Sequence, residues 1–557
     1  MSASRLIEAF LHLSQHSVDS VQNGMVFTHW DEYIHVDRPI ETKLIEKMDE
    51  IDEVGGGIVL LVGSAGDGKS HLISRIKQMS DWGDSSFYND ATASSSPKKT
   101  AIDTLKEALV DYKDENLYKT NKRLVLAINL GKLNALIDDE NFKSDYKEIV
   151  DSTLPIFDDD DTTPPINTER VKVVMFTDEQ LFEFYPDSTD EIPVDSDFFS
   201  KVMEKVAKPT NGNPFYIAYK EDLANGISKK DPILLNYEML CMPEIRRTIS
   251  MTIIEAIIRF KLIITPREFL DFLYSIIVPT NYSDYKEKKD FFEALLPSLL
   301  YCGGENMIQK AISKLDPLKQ SSTEHDKQLS VLFTSYSIPP SYLTENQIAL
   351  LPSEMLKRTN EFYANNGRDI ERTTKFVFRL KHLLEYHSEN EVYKSYLRVL
   401  KGLFNNNLHV MQDIYDMVSK AIPRHYGSYY GKSNMIPLNI QGGRYRLFGT
   451  LQLKPELVKS YHSPKYLNEF LLRFDMSWKF PDKNVSLRMD FQLYSYLYEL
   501  NRGKLALSYE NEKDLTFSRF VRQLIEKCNC EQDITVVTSD TQELELSESS
   551  FGNIQLQ

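Results

Sequence analysis

Residues Gly63-Ser64-Ala65-Gly66-Asp67-Gly68-Lys69-Ser70 fit the pattern G-x-x-x-x-G-K-[ST]. Chemistry at that spacing is phosphate binding. Glycines let the backbone curl into a nest of N–H groups that faces anionic oxygens, the following helix adds its positive end, and Lys69 supplies a point charge at the β- and γ-phosphates. The Ser70 hydroxyl is the expected magnesium ligand, so ATP or GTP with Mg2+ is the implied cofactor. Gly63, Ser64, Ala65, Gly66, Asp67, Gly68, Lys69, Ser70 and the adjoining His71 form the expected nucleotide-binding set.

Hydrolysis needs two further groups, a carboxylate that holds the metal and a group that orients the attacking water. Asp90 follows the short run Phe87-Tyr88-Asn89 and ranks first as the metal acid, although a turn or capping aspartate is an equal reading of it. Asn129 ends another apolar run, where many phosphate-loop enzymes carry Asp; its amide is suited to sensing the γ-phosphate. Asp178-Glu179 offers an acid pair later in the chain. Lys69, Asp90 and Asn129 are therefore the catalytic candidates, with Ser70 and Asp90 for the metal. Arg246, Arg247 and Arg267 are candidates for transition-state charge, against the commoner role of surface or helix-pair charge.

The elements that must position these groups are legible from hydrophobic period. Ile40, Leu44, Ile45, Met48 and Ile51 make one helical stripe behind Pro39. Ile58 to Val62, Leu124 to Ile128 and Val171 to Phe176 are continuous apolar runs suited to strands buried on both faces. With Phe87 to Ala91 and helices at 70–79 and 98–112, they predict an α/β P-loop NTPase domain with a mostly parallel, doubly wound sheet. Helical patterns follow, including Ile249 to Lys261, Arg267 to Ile277 and Arg372 to Leu403. Strand-like runs return at Arg444 to Leu453, Val485 to Asp490, Asp533 to Thr538 and Leu544 to Leu546. The expected division is an N-terminal helical segment (1–45), the NTPase core (46–235), a helical lid and helical domain (236–420) and a smaller mixed α/β region (421–557). Asp158 to Asp161, beside Thr162-Thr163-Pro164-Pro165, read as a solvated loop.

Composition narrows the class. The 557 residues, 41% hydrophobic and 26% charged, describe a folded protein of several domains. A net charge of −17 argues against a surface that coats DNA. Four cysteines, Cys241, Cys302, Cys528 and Cys530, are too few for a disulfide framework and predict reduced thiols in the cytoplasm. The N-terminal residues lack a signal-peptide pattern, and Met251 to Ile264 is too short and too charged to span a bilayer. No membrane partner is expected.

Two basic features stand out locally. Residues 421–448 hold Arg424, Lys432, Arg444 and Arg446 with Tyr426, Tyr429, Tyr430 and Tyr445 between them and no acid. Cations for phosphates and rings for bases suit a nucleic-acid contact, although a Tyr- and Gly-rich loop entering a strand is the favoured reading. Arg372, Lys375, Arg379 and His382 share one helical stripe, read as a solvated face before a DNA rail.

Four blocks in order resemble the DptF family: Ile34-His35-Val36-Asp37-Arg38-Pro39-Ile40-Glu41, Gly63 to Leu72, Asn89-Asp90-Ala91-Thr92 with Pro97-Lys98-Lys99-Thr100, and Leu126 to Leu133. The resemblance covers about residues 30 to 270 and, more loosely, Asp490 to Phe520. It implies the ATPase-like component of a phosphorothioation-dependent DNA restriction system, a defence role in which DptG-like and DptH-like subunits are the partners and DNA is met through the complex. It also leads one to expect an acid after Asn-Asp-Ala-Thr; Ala93 stands there, which implies weak turnover if that position assists hydrolysis. The alternative is a nucleotide-dependent switch or scaffold without DNA-coupled turnover, and a small-molecule kinase has little support from the long helical half. A homo-oligomer is compatible with either.

Overall fold

A computed structural model of the chain describes residues 4–15, 29–64, 66–79, 85–89, 101–157, 165–176, 179–280, 291–302, 304, 306–320, 322–340, 342–364, 370–425, 435–438, 445–450, 454–456, 473–480, 484–504, 511–527, 533–538, 543–548 and 554–556. They fall into two units, one of Met1–Phe182, Ser196–Ile257 and Leu262–Tyr386, the other of Glu183–Asp195, Ile258–Lys261 and His387–Gln557.

In the first unit, α1 (Arg5–Gln15) is followed by α2 (Pro39–Glu53), which carries proline in its first turn and buries Ile40, Leu44, Met48 and Ile51. Gly55, Gly56 and Gly57 come next with φ of 84°, 146° and 148°. A Cβ on Gly56 would stand 2.7 Å from the Thr120 carbonyl oxygen, so only glycine lets the chain pass there. β1 (Gly57–Gly63) is buried along its whole length. α3 (Lys69–Gln78), β2 (Ser85–Asn89), α4 (Ala101–Ala108), β3 (Arg123–Asn129), α5 (Leu130–Ile137), α6 (Lys147–Thr153) and β4 (Val171–Met175) complete the core. The four strands form one parallel sheet of order β2-β3-β1-β4.

Alternation across the strands builds a layer on each face. Ile58, Leu60 and Val62 join Leu126, Ile128, Leu105, Leu133 and Ile149 on one side. Val59, Leu61 and Ala127 meet Leu44, Ile51 and Ile73 on the other. Thus α4, α5 and α6 cover one face, and α2 and α3 the opposite one. The expected α/β class is observed, with the expected strands shifted by one or two residues at their ends.

The rest of this unit is helical and includes α7 (Pro214–Ala224), α8 (Pro232–Leu240), most of α9 (Pro243–Phe260, whose last three residues count with the second unit), α10 (Pro266–Ile277) and α11 (Ile370–Leu384). Asn236, fully buried in α8, donates to the carbonyls of Ile277 at 3.0 Å and Ala294 at 2.9 Å and accepts from the Leu296 N–H at 2.7 Å. Buried Asp316 takes a bidentate ion pair from Arg379 of α11, at 3.1 and 2.6 Å.

The second unit has a short β5/β6 pair (Glu183–Phe184 and Val194–Asp195), α12 (Glu391–Phe404), α13 (Leu408–His425), β7 (Met435–Pro437), β8 (Tyr445–Thr450), β9 (Pro455–Glu456), β10 (Arg473–Trp478), β11 (Val485–Asp490), α14 (Phe491–Asn501), α15 (Asn511–Lys527), β12 (Asp533–Thr538), β13 (Glu543–Glu548) and β14 (Ile554–Leu556). Its larger sheets run β11-β10-β9 and β14-β13-β12-β8-β7. All their pairings are antiparallel. Fully buried Trp478 packs on Phe520 and Tyr415, with ring centroids 4.8 and 5.0 Å away.

One helix differs from expectation. The run Arg372 to Leu403 is two helices, α11 and α12, because Asn390 turns its side chain onto the Tyr393 N–H at 2.7 Å and starts a new helix. The acid run at 158–161 lies outside the described residues. No described helix is long and apolar enough to cross a membrane.

Candidate functional site

The glycine-rich loop leaves the carboxyl end of β1, where Gly63 lies opposite Asn129 of β3 and Ala127 in turn lies opposite Asn89 of β2. The chain leaves β1 toward β2 and leaves β3 toward β4, in opposite directions along the sheet. Between such strands the helices depart to opposite faces, and the crevice left at the strand ends is where open α/β sheets receive ligands. Gly66 and Gly68 hold φ of 90° and 95°, so the loop needs its glycines. Gly68, the N-cap residue of α3, has no side chain with which to cap the helix's first turn, and such helix starts receive anions. Ala65 lies outside the described residues.

Charge is concentrated at this loop. The Asp67 carboxylate accepts the Ser64 N–H, and Lys69 Nζ donates to the Ser64 carbonyl at 2.5 Å. Burial pushes the Asp67 carboxyl up, against the Ser64 N–H, Lys69 and Arg38, while Glu268 pushes it further up. Arg38, just ahead of α2, donates to the Asp67 carbonyl at 3.0 Å and lies 5.0 Å over the Phe176 ring. Burial pushes its guanidinium down, and Glu179, Asp67 and Glu41 oppose the shift. Ser70 Oγ accepts from Asn89 Nδ2 at 2.8 Å, which fixes the hydroxyl that a magnesium ion would use.

The acids divide. Asp90 and Asp178 lie outside the described residues. Glu179 is nearly buried 3.8 Å from Lys43. Asn129 caps α5, its Oδ1 accepting from the Gly131 N–H at 2.8 Å. A capping role thus occupies the side-chain oxygen of the residue that lies opposite the loop's first residue on β3.

Among the arginines, Arg246 donates to the Leu240 and Cys241 carbonyls at 3.0 and 2.7 Å and so serves the end of α8. Arg247 is exposed. Arg267 opens α10 behind a capping box in which Thr265 and Glu268 satisfy each other's backbone. That cap abuts the loop, since a Cβ on Gly66 would stand 3.0 Å from Thr265 Oγ1. Burial pushes the Arg267 guanidinium down, with Asp271 opposing.

The basic features become structural where they are described. Arg379 pairs with Asp316, Lys375 with Glu371 at 2.5 Å, and Arg372 with Glu293 at 3.7 Å. Arg424 donates to the Asn501 carbonyl and to Asn501 Oδ1, closing α14. Arg446 is exposed on β8; Lys432, Arg444, Tyr426, Tyr429 and Tyr430 lie outside the described residues, as do Cys528 and Cys530. Cys241 and Cys302 are free thiols.

One group escaped the sequence reading. His71 is not left facing the loop alone, because its Nε2 stands 2.9 Å from His35 Nδ1 with the rings stacked at 5.1 Å. His35 in turn faces Asp37 and Glu41, and Arg75 of α3 pairs with both carboxylates. The only signal was the polar His-x-Asp-x-x-x-Glu spacing at the start of α2. No protein-family model matches the chain, and neither a curated protein nor a solved structure matches it.

Proposed function

We propose that this chain is a P-loop NTPase that binds Mg-ATP through Gly63 to Ser70. The observation that carries this reading is the loop's position: a glycine-dependent turn with Lys69 and Ser70 at the uncapped start of α3, at the switch point of a parallel sheet. From the resemblance to DptF we further infer an ATP-hydrolysing component of a phosphorothioation-dependent DNA restriction complex, with DptG-like and DptH-like partners in the cytoplasm. Asp90 is the proposed metal acid and Asn129 the group at the γ-phosphate.

Titration of the full chain with Mg-ATP tests the first step, with saturable binding expected and Lys69→Ala reducing it severely. Binding unchanged in Lys69→Ala rejects the site. Asp90→Ala should retain binding and lose turnover, alone or with the partner subunits. Co-purification with those partners from the host, and nuclease protection of phosphorothioated DNA, test the biological role.

A second reading, a nucleotide-dependent switch without turnover, is favoured by Asn129, whose carbonyl oxygen is committed to the α5 cap in the place where a carboxylate would serve hydrolysis. Steady turnover stimulated by DNA rejects it.

A further inference from the structure

His35 Nε2 lies 3.1 Å from Asp37 Oδ1 and 3.2 Å from Glu41 Oε2. The three ligand atoms all lie within 4.8 Å of one another. Glu41 is nine-tenths buried, and its Oε2 accepts no hydrogen bond among the described residues. Two carboxylate oxygens therefore converge on one imidazole nitrogen. A bare lone pair on that nitrogen would be repelled by both, so what stands between them is either the ring's own N–H hydrogen or a metal ion.

The spacing fits a metal. Bonds of about 2.0–2.1 Å set ligand–ligand edges of about 3.3 Å in a tetrahedron and about 2.9 Å in an octahedron, and the two observed edges fall between. The surrounding bonds are those an outer shell makes. Arg75 Nε donates to Glu41 Oε1 at 2.8 Å and so leaves Oε2 to the centre; its Nη2 donates to Asp37 Oδ1 at 2.7 Å. His35 Nδ1 meets His71 Nε2 at 2.9 Å, and with the proton on His35 Nδ1 the Nε2 lone pair points to the carboxylates. Asp37 is largely exposed, which gives water access to the remaining positions.

We propose that His35, Asp37 and Glu41 bind a borderline divalent cation of the Zn2+ type, with His71 and Arg75 as its outer shell. One imidazole and two carboxylates is a donor set for zinc, and it differs from the hydroxyl and phosphate oxygens that hold magnesium. Because His71 and Arg75 belong to α3, the ion clasps the start of α2 to the helix that follows the glycine-rich loop. The assignment does not rest on nucleotide binding.

The test uses the full-length protein with Cys528→Ser and Cys530→Ser, stripped by chelator and titrated with Zn2+ by calorimetry and with Co2+ by visible absorption. One equivalent of Zn2+ is expected, with a cobalt d–d spectrum displaced by zinc. His35→Ala and the isosteric Glu41→Gln should each weaken binding by about tenfold or more, and His71→Ala by about 10–100-fold. Lys69→Ala should bind metal as the parent does. No bound metal in the parent, which would leave the ring N–H as the group between the carboxylates, overturns the proposal. So does unchanged affinity in folded Glu41→Gln, whose carboxamide preserves the packing.

Discussion

Thr265 and Gly66 are in contact range across two elements: the threonine hydroxyl that caps α10 lies 3.0 Å from where a side chain on Gly66 would begin. The start of a helix and the middle of the glycine-rich loop therefore lie against each other.

Gly66→Ala tests that relationship. The methyl group meets both a φ of 90° and the Thr265 hydroxyl. A loss of about 1–2 kcal/mol in urea unfolding is expected from the backbone alone. Combined with Thr265→Ala, the two changes should cost less than their sum, because the methyl then has room. Strict additivity would show that the two residues do not touch in solution.

Asn129 separates capping from chemistry. Asn129→Ala should lower stability by about 1 kcal/mol through loss of the α5 cap, and Asn129→Asp should restore it, since aspartate caps equally well. Chemical denaturation of the three proteins gives the comparison; an alanine variant as stable as the parent dismisses the capping role.

Asp271 in α10 gives a pH dependence of defined sign. Burial raises its carboxyl from 3.8 to about 6, against the Arg267 charge and with the Glu268 charge. The folded state holds this proton more tightly than the unfolded chain, so stability falls as pH rises from about 4 through 6 and then levels. Asp271→Asn removes that loss, and thermal melts should place it above the parent at pH 7 to 8, by on the order of 1 kcal/mol after allowance for solvent screening. The gap should close below pH about 4. A variant less stable than the parent at pH 7 to 8, with the gap closing below pH about 4, would instead make the Arg267 attraction the dominant effect.

The Arg379–Asp316 pair predicts an asymmetry between single and double replacement. Arg379→Ala leaves a buried carboxylate without its partner and should cost about 3–5 kcal/mol. Asp316→Asn with Arg379→Met should cost much less, because no buried charge remains. Equal losses in the two proteins, read from denaturant midpoints, would reject the account.

The α/β core was legible because its strands are unbroken apolar runs and its first helix shows one stripe; Ile58 to Val62 and Ile40 to Ile51 admit few other structures. The break between α11 and α12 was hidden because helical periodicity continues on both sides of it, and what decides it is a single Asn390 side chain bonding to the backbone. Pairing in the antiparallel sheet was illegible for another reason. β8 and β12 meet at Leu447 and Val536, far apart in the chain, and alternation alone names no partner. The same holds at His35: the spacing places Asp37 and Glu41 nearby, but only the packing of α2 against α3 brings His71 and Arg75 to them.

Asn236 carries a last consequence. One carboxamide holds the chain at Ile277, Ala294 and Leu296, on both sides of residues 281–290. Covalent continuity across that stretch is therefore not what keeps its flanks in place. A chain cleaved once between 280 and 291 should travel as a single particle in native chromatography and separate into two fragments only in denaturant.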